Sequence, residues 1–169
     1  MGRIKIIDYR PEHQPYFEGL NRAWIEKYFV MEQRDIDSLT KPEETLLSKG
    51  GAILMAEYDG FVAGTVALKK VDAVTYEFTK MAVDENFRRK GIAEELCYAS
   101  FKKAKELDAE VIILFSNSIL APAITMYEKL GFRHVPVGDS GYKRSDVKMM
   151  ITIEDAIHLT KEQGRLIKI

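Results

Sequence analysis

The residues of this chain with the most evident chemical use lie in Asp84-Glu85-Asn86-Phe87-Arg88-Arg89-Lys90-Gly91-Ile92-Ala93, between a strand pattern and an amphipathic helix pattern. The first amides of a helix lack partners within it and carry partial positive charge. A turn of small residues leading into a helix can therefore hold phosphate oxygens through the main chain alone. Gly91 and Ala93 let an anion approach closely, and Arg88, Arg89 and Lys90 supply local positive charge. The plainer alternative is a solvated charge run before an ordinary helix. Nucleotide hydrolysis and dinucleotide binding lack their loops, because the chain contains neither Gly-x-x-x-x-Gly-Lys-Ser/Thr nor Gly-x-Gly-x-x-Gly after a strand.

Other reactive side chains are less suggestive. Cys97 falls in helical register with apolar neighbours, which favours a buried structural thiol over a nucleophile. His13, His134 and His158 are scattered without ligand spacing, so no metal site is expected.

The elements that must position the loop follow from periodicity and punctuation. Arg3 to Tyr9 reads as a strand ended by Arg10-Pro11. From His13 to Val30 the residues Tyr16, Phe17, Leu20, Trp24, Ile25, Tyr28 and Phe29 recur at helical steps, which predicts one buried helical face. Pro42 suits the first turn of a second helix over Glu43 to Lys49, stopped by Gly50-Gly51. Ala52 to Tyr58 and Phe61 to Lys69 flank Asp59-Gly60, a strong hairpin signal. Val74 to Val83 is a strand. Lys90 to Leu107 is a helix burying Ile92, Ala93, Leu96, Cys97, Ser100, Ala104 and Leu107. A strand at Glu110 to Phe115, a helix at Ala121 to Leu130 and strands at Phe132 to Val137 and Tyr142 to Ile151 complete the order. These elements predict an α/β (α+β) fold, and residues 153–169 receive no role.

Composition sets the bounds. The 169 residues, 46% hydrophobic and 30% charged, suit a single domain over 1–169 with one core. Twenty-five basic side chains against 26 acidic ones leave a net charge of -1, so no global field favours nucleic acid or an anionic membrane. One cysteine rules out an intrachain disulfide and fits a reducing, cytoplasmic setting. No apolar run approaches the roughly 20 residues of a membrane span. The beginning Met-Gly-Arg-Ile-Lys-Ile has neither a signal-peptide core nor the Ser/Thr that myristoylation of Gly2 prefers.

Arg88-x-x-Gly91-x-Ala93, preceded by Lys80-Met81-Ala82-Val83, resembles the Arg/Gln-x-x-Gly-x-Gly/Ala pyrophosphate loop of the GNAT N-acetyltransferase superfamily. Downstream, Asn117 and then Ala123-Ile124-Thr125-Met126-Tyr127-Glu128-Lys129-Leu130-Gly131-Phe132 resemble the second conserved block of that family. The resemblance is specific over 75–137, generic over 3–70 and absent over 153–169.

It implies the GNAT fold, a mixed, mostly antiparallel sheet of about six to seven strands flanked by helices on both faces. It also implies acetyl-CoA as co-substrate, without metal, with direct transfer of acetyl to an amine. Met81, Ala82 and Val83 would bind the pantetheine arm by main-chain bonds, as an added strand would. Arg88, Arg89, Lys90, Gly91, Ile92 and Ala93 would hold the pyrophosphate. Tyr127 matches the tyrosine that approaches the sulfur and protonates the leaving thiolate; the alternative is a buried aromatic between helix and sheet. Glu77 matches by position a carboxylate that deprotonates the amine, often through water; the alternative is a surface or substrate-binding carboxylate. Asn117 would hydrogen-bond the cofactor arm or form an Asx turn.

The acceptor side, by the same resemblance, draws on Trp24, Tyr28, Glu32, Arg34 and Asp35, with Tyr142, Lys143 and Arg144. The expected partner is a small-molecule amine rather than nucleic acid or membrane, and homodimers are frequent in the family. A protein or peptide acceptor, a longer acyl chain, and a non-catalytic acyl-CoA sensor are the competing readings.

Overall fold

The computed structural model describes residues 2–162. Seven strands form one sheet in the order β1-β2-β3-β4-β5-β7-β6. They are β1 (Ile4–Asp8), β2 (Ala52–Tyr58), β3 (Phe61–Lys70), β4 (Thr75–Val83), β5 (Val111–Ser116), β6 (Arg133–Val135) and β7 (Val147–Thr152). The helices are α1 (Gln14–Tyr28), α2 (Gln33–Thr40), α3 (Ile92–Glu106), α4 (Ala121–Lys129) and α5 (Ile153–Glu162). β4 and β5 run parallel, as α3 between them requires, whereas β1–β2, β2–β3, β5–β7 and β6–β7 are antiparallel. The mixed, mostly antiparallel sheet expected from the sequence is present.

By contacts the chain divides into two compact units, one of residues up to Lys70 with Phe78–Ser100, the other of Val71–Glu77 with the residues from Phe101 onward. In the first unit, Phe17, Ile25, Leu39, Leu46, Ile53, Met55 and Ala67 form a buried cluster, with Trp24 and Phe29 partly buried against it. The β2–β3 hairpin turns at Asp59 (φ 49) and Gly60 (φ 86), both left-handed, as an Asp-Gly turn of the primed type demands.

The buried face of α1 differs from the aromatic stripe expected. Phe17 and Ile25 are buried, but Tyr16 and Tyr28 are exposed, and Asn21 takes a core position. Its amide donates to the Phe17 carbonyl at 2.9 Å, and its oxygen accepts from Trp24 Nε1 at 3.1 Å, so the helix satisfies its own buried polar group.

One element was not anticipated, and another differs in kind from the helix expected. α2 has few apolar residues, and it starts on a reciprocal cap in which the Glu32 amide donates to Asp35 Oδ2 at 3.0 Å. The segment Glu43–Leu47 is a π-helical turn rather than an α-helix, closed by Ser48 N–H to Glu43 O at 2.8 Å.

In the second unit the sheet residues Tyr76, Ile112, Leu114, Met149 and Ile151 are buried, as are Phe101, Leu130 and Phe132. β6 and β7 are shorter than the runs expected at 132–137 and 142–151. Of the unassigned tail 153–169, residues 153–162 form α5, which buries Ile153, Ala156 and Thr160, and 163–169 lie outside the described residues.

Candidate active site

The loop at the head of α3 belongs to the first unit. Asp84 caps a short 3-10 turn at Glu85–Phe87 by accepting the Asn86 amide at 2.8 Å. The chain then passes through Arg89 (φ 61) and Gly91 (φ 81), both left-handed, before α3 begins at Ile92. Left-handed residues alternating with ordinary ones turn successive amides toward one side, the concavity in which main chains hold anions. Arg88, Arg89, Lys90 and Gly91 are exposed. A Cβ built on Gly91 meets nothing within 4 Å, so the turn opens on space.

The cations around it have identified neighbours. Arg88 Nη2 lies 3.6 Å from Glu85 Oε1, the oxygen that also accepts from Lys27 Nζ at 3.2 Å. All three side chains are exposed, and such pairs contribute little to stability. Lys90 Nζ stands 5.0 Å over the Tyr58 ring, which packs against Phe87 at 5.7 Å.

α3 is seated by its buried face, where Ile92, Leu96, Cys97, Ser100 and Ala104 are buried as expected and Phe101 joins them. Burial drives the Cys97 thiol well above its ordinary pKa, which disfavours the thiolate a nucleophile needs. At Gly64 of β3 the helix comes close. A Cβ there would stand 3.1 Å from Ile92 Cγ2 and 3.2 Å from Leu96 Cδ1. Gly64→Val should therefore destabilise the protein by about 1–3 kcal/mol through overpacking. Chemical denaturation checks this, and an unchanged midpoint would show that α3 yields freely.

β4 carries the rest of the expected cofactor strand. Met81 and Val83 are partly exposed and Ala82 is buried. Lys80, just before them, has φ 56, unusual for a non-glycine residue inside a strand. Its ammonium lies 3.1 Å from Asp35 Oδ1, with side-chain exposures of 3% and 0%. Removing one member of such a buried pair typically costs about 3–5 kcal/mol, because the other charge is left buried. Sequence reasoning placed Asp35 on the acceptor side and Lys80 in the motif but did not pair them. Forty-five residues separate them, and neither pattern nor spacing signals a contact at that range.

Glu77, Asn117 and Tyr127 belong to the second unit. Glu77 is 5% exposed, buried rather than on the surface, and it lies in register with Ile113 of β5. Asn117 forms the Asx turn, accepting the Ile119 amide at 2.9 Å, and its amide donates to the Arg144 carbonyl at 2.5 Å. Ser118 is bound next to it, its amide and hydroxyl donating to Asp146 at 2.8 and 2.7 Å. These bonds join the end of β5 to the segment before β7. Tyr127 is 7% exposed, with its ring edge against Phe132 at 5.7 Å, so the packing contact is present whatever its hydroxyl does.

The histidines occupy structural or surface places. His13 is buried and its Nδ1 accepts the Arg10 amide at 2.8 Å, while His134 and His158 are exposed beside Glu128 and Glu162. Among the described residues, no group of three or more His, Cys, Asp or Glu is placed to hold a metal, and no helix is long and apolar enough to cross a membrane.

Known structures share this architecture. An acetyltransferase of the GNAT family from Staphylococcus aureus Mu50 superposes with a TM-score of 0.81 at 21% identity, covering 89% of this chain and 99% of that one. The yncA protein of Salmonella typhimurium, solved with its cofactor acetyl-CoA, superposes with a TM-score of 0.71 at 18% identity, covering 89% and 94%. Human N-acetylaspartate synthetase is 31% identical over 126 residues, 73% of this chain, and the chain spans 40% of that relative's length. The model of the Acetyltransferase (GNAT) family matches residues 12–132, a range that contains the α3 loop, Glu77, Asn117 and Tyr127, and the chain belongs to that family.

Proposed function

We propose that the protein is an N-acetyltransferase that moves an acetyl group from acetyl-CoA to a primary amine of a small, amino-acid-like acceptor by direct attack. The observation that carries this reading is the open turn at Arg89–Gly91, two left-handed residues among exposed cations at the head of α3, in a chain of the GNAT family. A diphosphate is the group such a turn suits, through main-chain amides and the helix dipole. Family members in known structures bind acetyl-CoA or coenzyme A. An amino-acid acceptor is supported by the likeness to a relative named N-acetylaspartate synthetase.

In this reading the residues Arg88 to Ala93 hold the pyrophosphate, and Met81, Ala82 and Val83 hold the pantetheine arm by main-chain bonds. Acetyl-CoA supplies the activated acetyl group. The amine must be neutral to attack, and Glu77 takes its proton. As the carbon–sulfur bond breaks, Tyr127 donates its phenolic proton to the departing sulfur. Asn117 keeps the loop after β5 in place and has one amide hydrogen and one lone pair for the cofactor arm. We also infer a single catalytic domain in a cytoplasmic setting, where the lone thiol of Cys97 stays reduced.

Titration calorimetry tests the cofactor claim. Acetyl-CoA should bind at micromolar concentration, and dephosphorylated pantetheine should not. Turnover on a panel of amino acids, small amines and peptide N-termini then identifies the acceptor. Preference for peptides would replace the small-molecule reading, and tight binding without any turnover would leave a sensor. Glu77→Gln should remove the low-pH limb of the rate profile, because a group that must be deprotonated to work limits the rate on its acid side. Full activity with an unaltered profile would remove Glu77 as base.

A further inference from the structure

Lys80 combines two unusual properties. It holds a left-handed backbone (φ 56) inside β4, and its ammonium is buried against Asp35. A left-handed residue within a strand breaks the alternation of the main chain and re-aims the groups that follow it, as bulges do beside active sites. The residues that follow are Met81, Ala82 and Val83.

A glycine would adopt this φ without help, whereas a lysine holds it only where its surroundings over-determine the conformation. The Asp35 carboxylate is part of those surroundings. Its Oδ1 accepts the Lys80 ammonium at 3.1 Å and its Oδ2 accepts the Glu32 amide at 3.0 Å, closing the first turn of α2. One buried carboxylate thus joins the start of a helix to the turning point of a strand.

We propose that Asp35 and Lys80 are positioning residues for acetyl transfer: the pair holds residue 80 in the left-handed conformation that aims the Met81–Val83 main chain, and makes that aim depend on the folded start of α2. The proposal rests on the acetyltransferase reading and adds to it a link between the acceptor-side helix and the cofactor strand.

Two double variants of the full chain separate positioning from mere charge satisfaction. Asp35→Asn/Lys80→Met and Asp35→Asn/Lys80→Gly both remove the charges and keep an oxygen at position 35 for the Glu32 amide. They differ in whether residue 80 takes a positive φ without strain. The methionine variant should lose about 10- to 100-fold in kcat, the scale on which small misplacements act. The glycine variant should recover to within about threefold of the wild type, since its backbone needs no clamp. Equal kcat in the two folded variants, or a folded glycine variant as slow as the methionine one, overturns the proposal while leaving the acetyltransferase reading intact. Amide spectra give a readout independent of turnover. The Ala82 and Val83 resonances should move in the methionine variant and return in the glycine variant, and unmoved resonances in the methionine variant overturn the proposal even if no acceptor amine is found.

Discussion

Gly91→Glu should weaken acetyl-CoA binding at least 100-fold and leave the protein folded. The backbone at this position is left-handed, with φ 81, which costs an L-residue about 1–2 kcal/mol relative to glycine. The substitution also places a carboxylate where the pyrophosphate is proposed to sit. Two unit charges 4 Å apart repel by about 1 kcal/mol in water and about 4 kcal/mol near a protein surface. The repulsion at the surface figure alone exceeds the roughly 2.7 kcal/mol that a 100-fold loss requires, and the strain adds to the loss only in so far as the ligand-free turn relaxes away from the conformation that presents its amides. Because a Cβ on Gly91 meets no protein atom within 4 Å, the damage falls on the ligand rather than on packing. Gly91→Ala carries the strain without the charge and should lose at most about tenfold, the loss reached if the ligand-free turn relaxes fully. Calorimetry on both variants, with thermal melts as a control, decides the matter. Unchanged affinity in a folded Gly91→Glu protein would remove the pyrophosphate from this turn.

Tyr127→Phe should lower kcat about 100-fold, the usual worth of a positioned general acid, with acetyl-CoA affinity nearly unchanged. The ring remains, so the edge contact with Phe132 at 5.7 Å and the burial of α4 survive. Loss of the hydroxyl would remove the proton donor proposed for the step in which the sulfur departs. Single-turnover measurements separate that step from product release. A variant with wild-type kcat would reduce Tyr127 to its packing role, and one that lost cofactor affinity as well would give the hydroxyl a binding role instead.

Most of the fold was legible because its signals are local. Asp59-Gly60 between two strand-like runs predicted the hairpin whose turn residues are both left-handed. The apolar spacing after Gly91 predicted five buried positions of α3 correctly, while Ala93 and Leu107 are only half-buried and Phe101 was not foreseen. α2 escaped because its start is fixed by a Glu32–Asp35 cap rather than by a Ser or Thr box, and because Leu39 is its one apolar residue that is fully buried. Asn21 defeated the periodic reading of α1. A polar residue at a core position is invisible to hydropathy when its partners are a carbonyl one turn back and an indole three residues on.

The proposed phosphate site is contiguous in the chain: Arg88 to Gly91 lead into the first residues of α3, and Gly91 marked one of the two left-handed positions, whereas the left-handed Arg89 carried no such signal. What the sequence could not carry was the state of each side chain: that Glu77 is buried, that Asn117 is already engaged by Ile119 and Arg144, and that Lys80 is neutralised by Asp35. Each depends on residues distant in the chain, and no period or spacing encodes them.

The tyrosine beneath Lys90 also ties residue 2 to the turn that precedes α3. A side chain grafted at position 2 would start 1.7 Å from Tyr58 Cζ, too close for any atom, so the ring would have to move. That ring touches Phe87 and lies under Lys90, and both residues belong to the turn that precedes α3. A side chain at position 2 would therefore be felt first at Tyr58 and, through that ring, at Phe87 and Lys90.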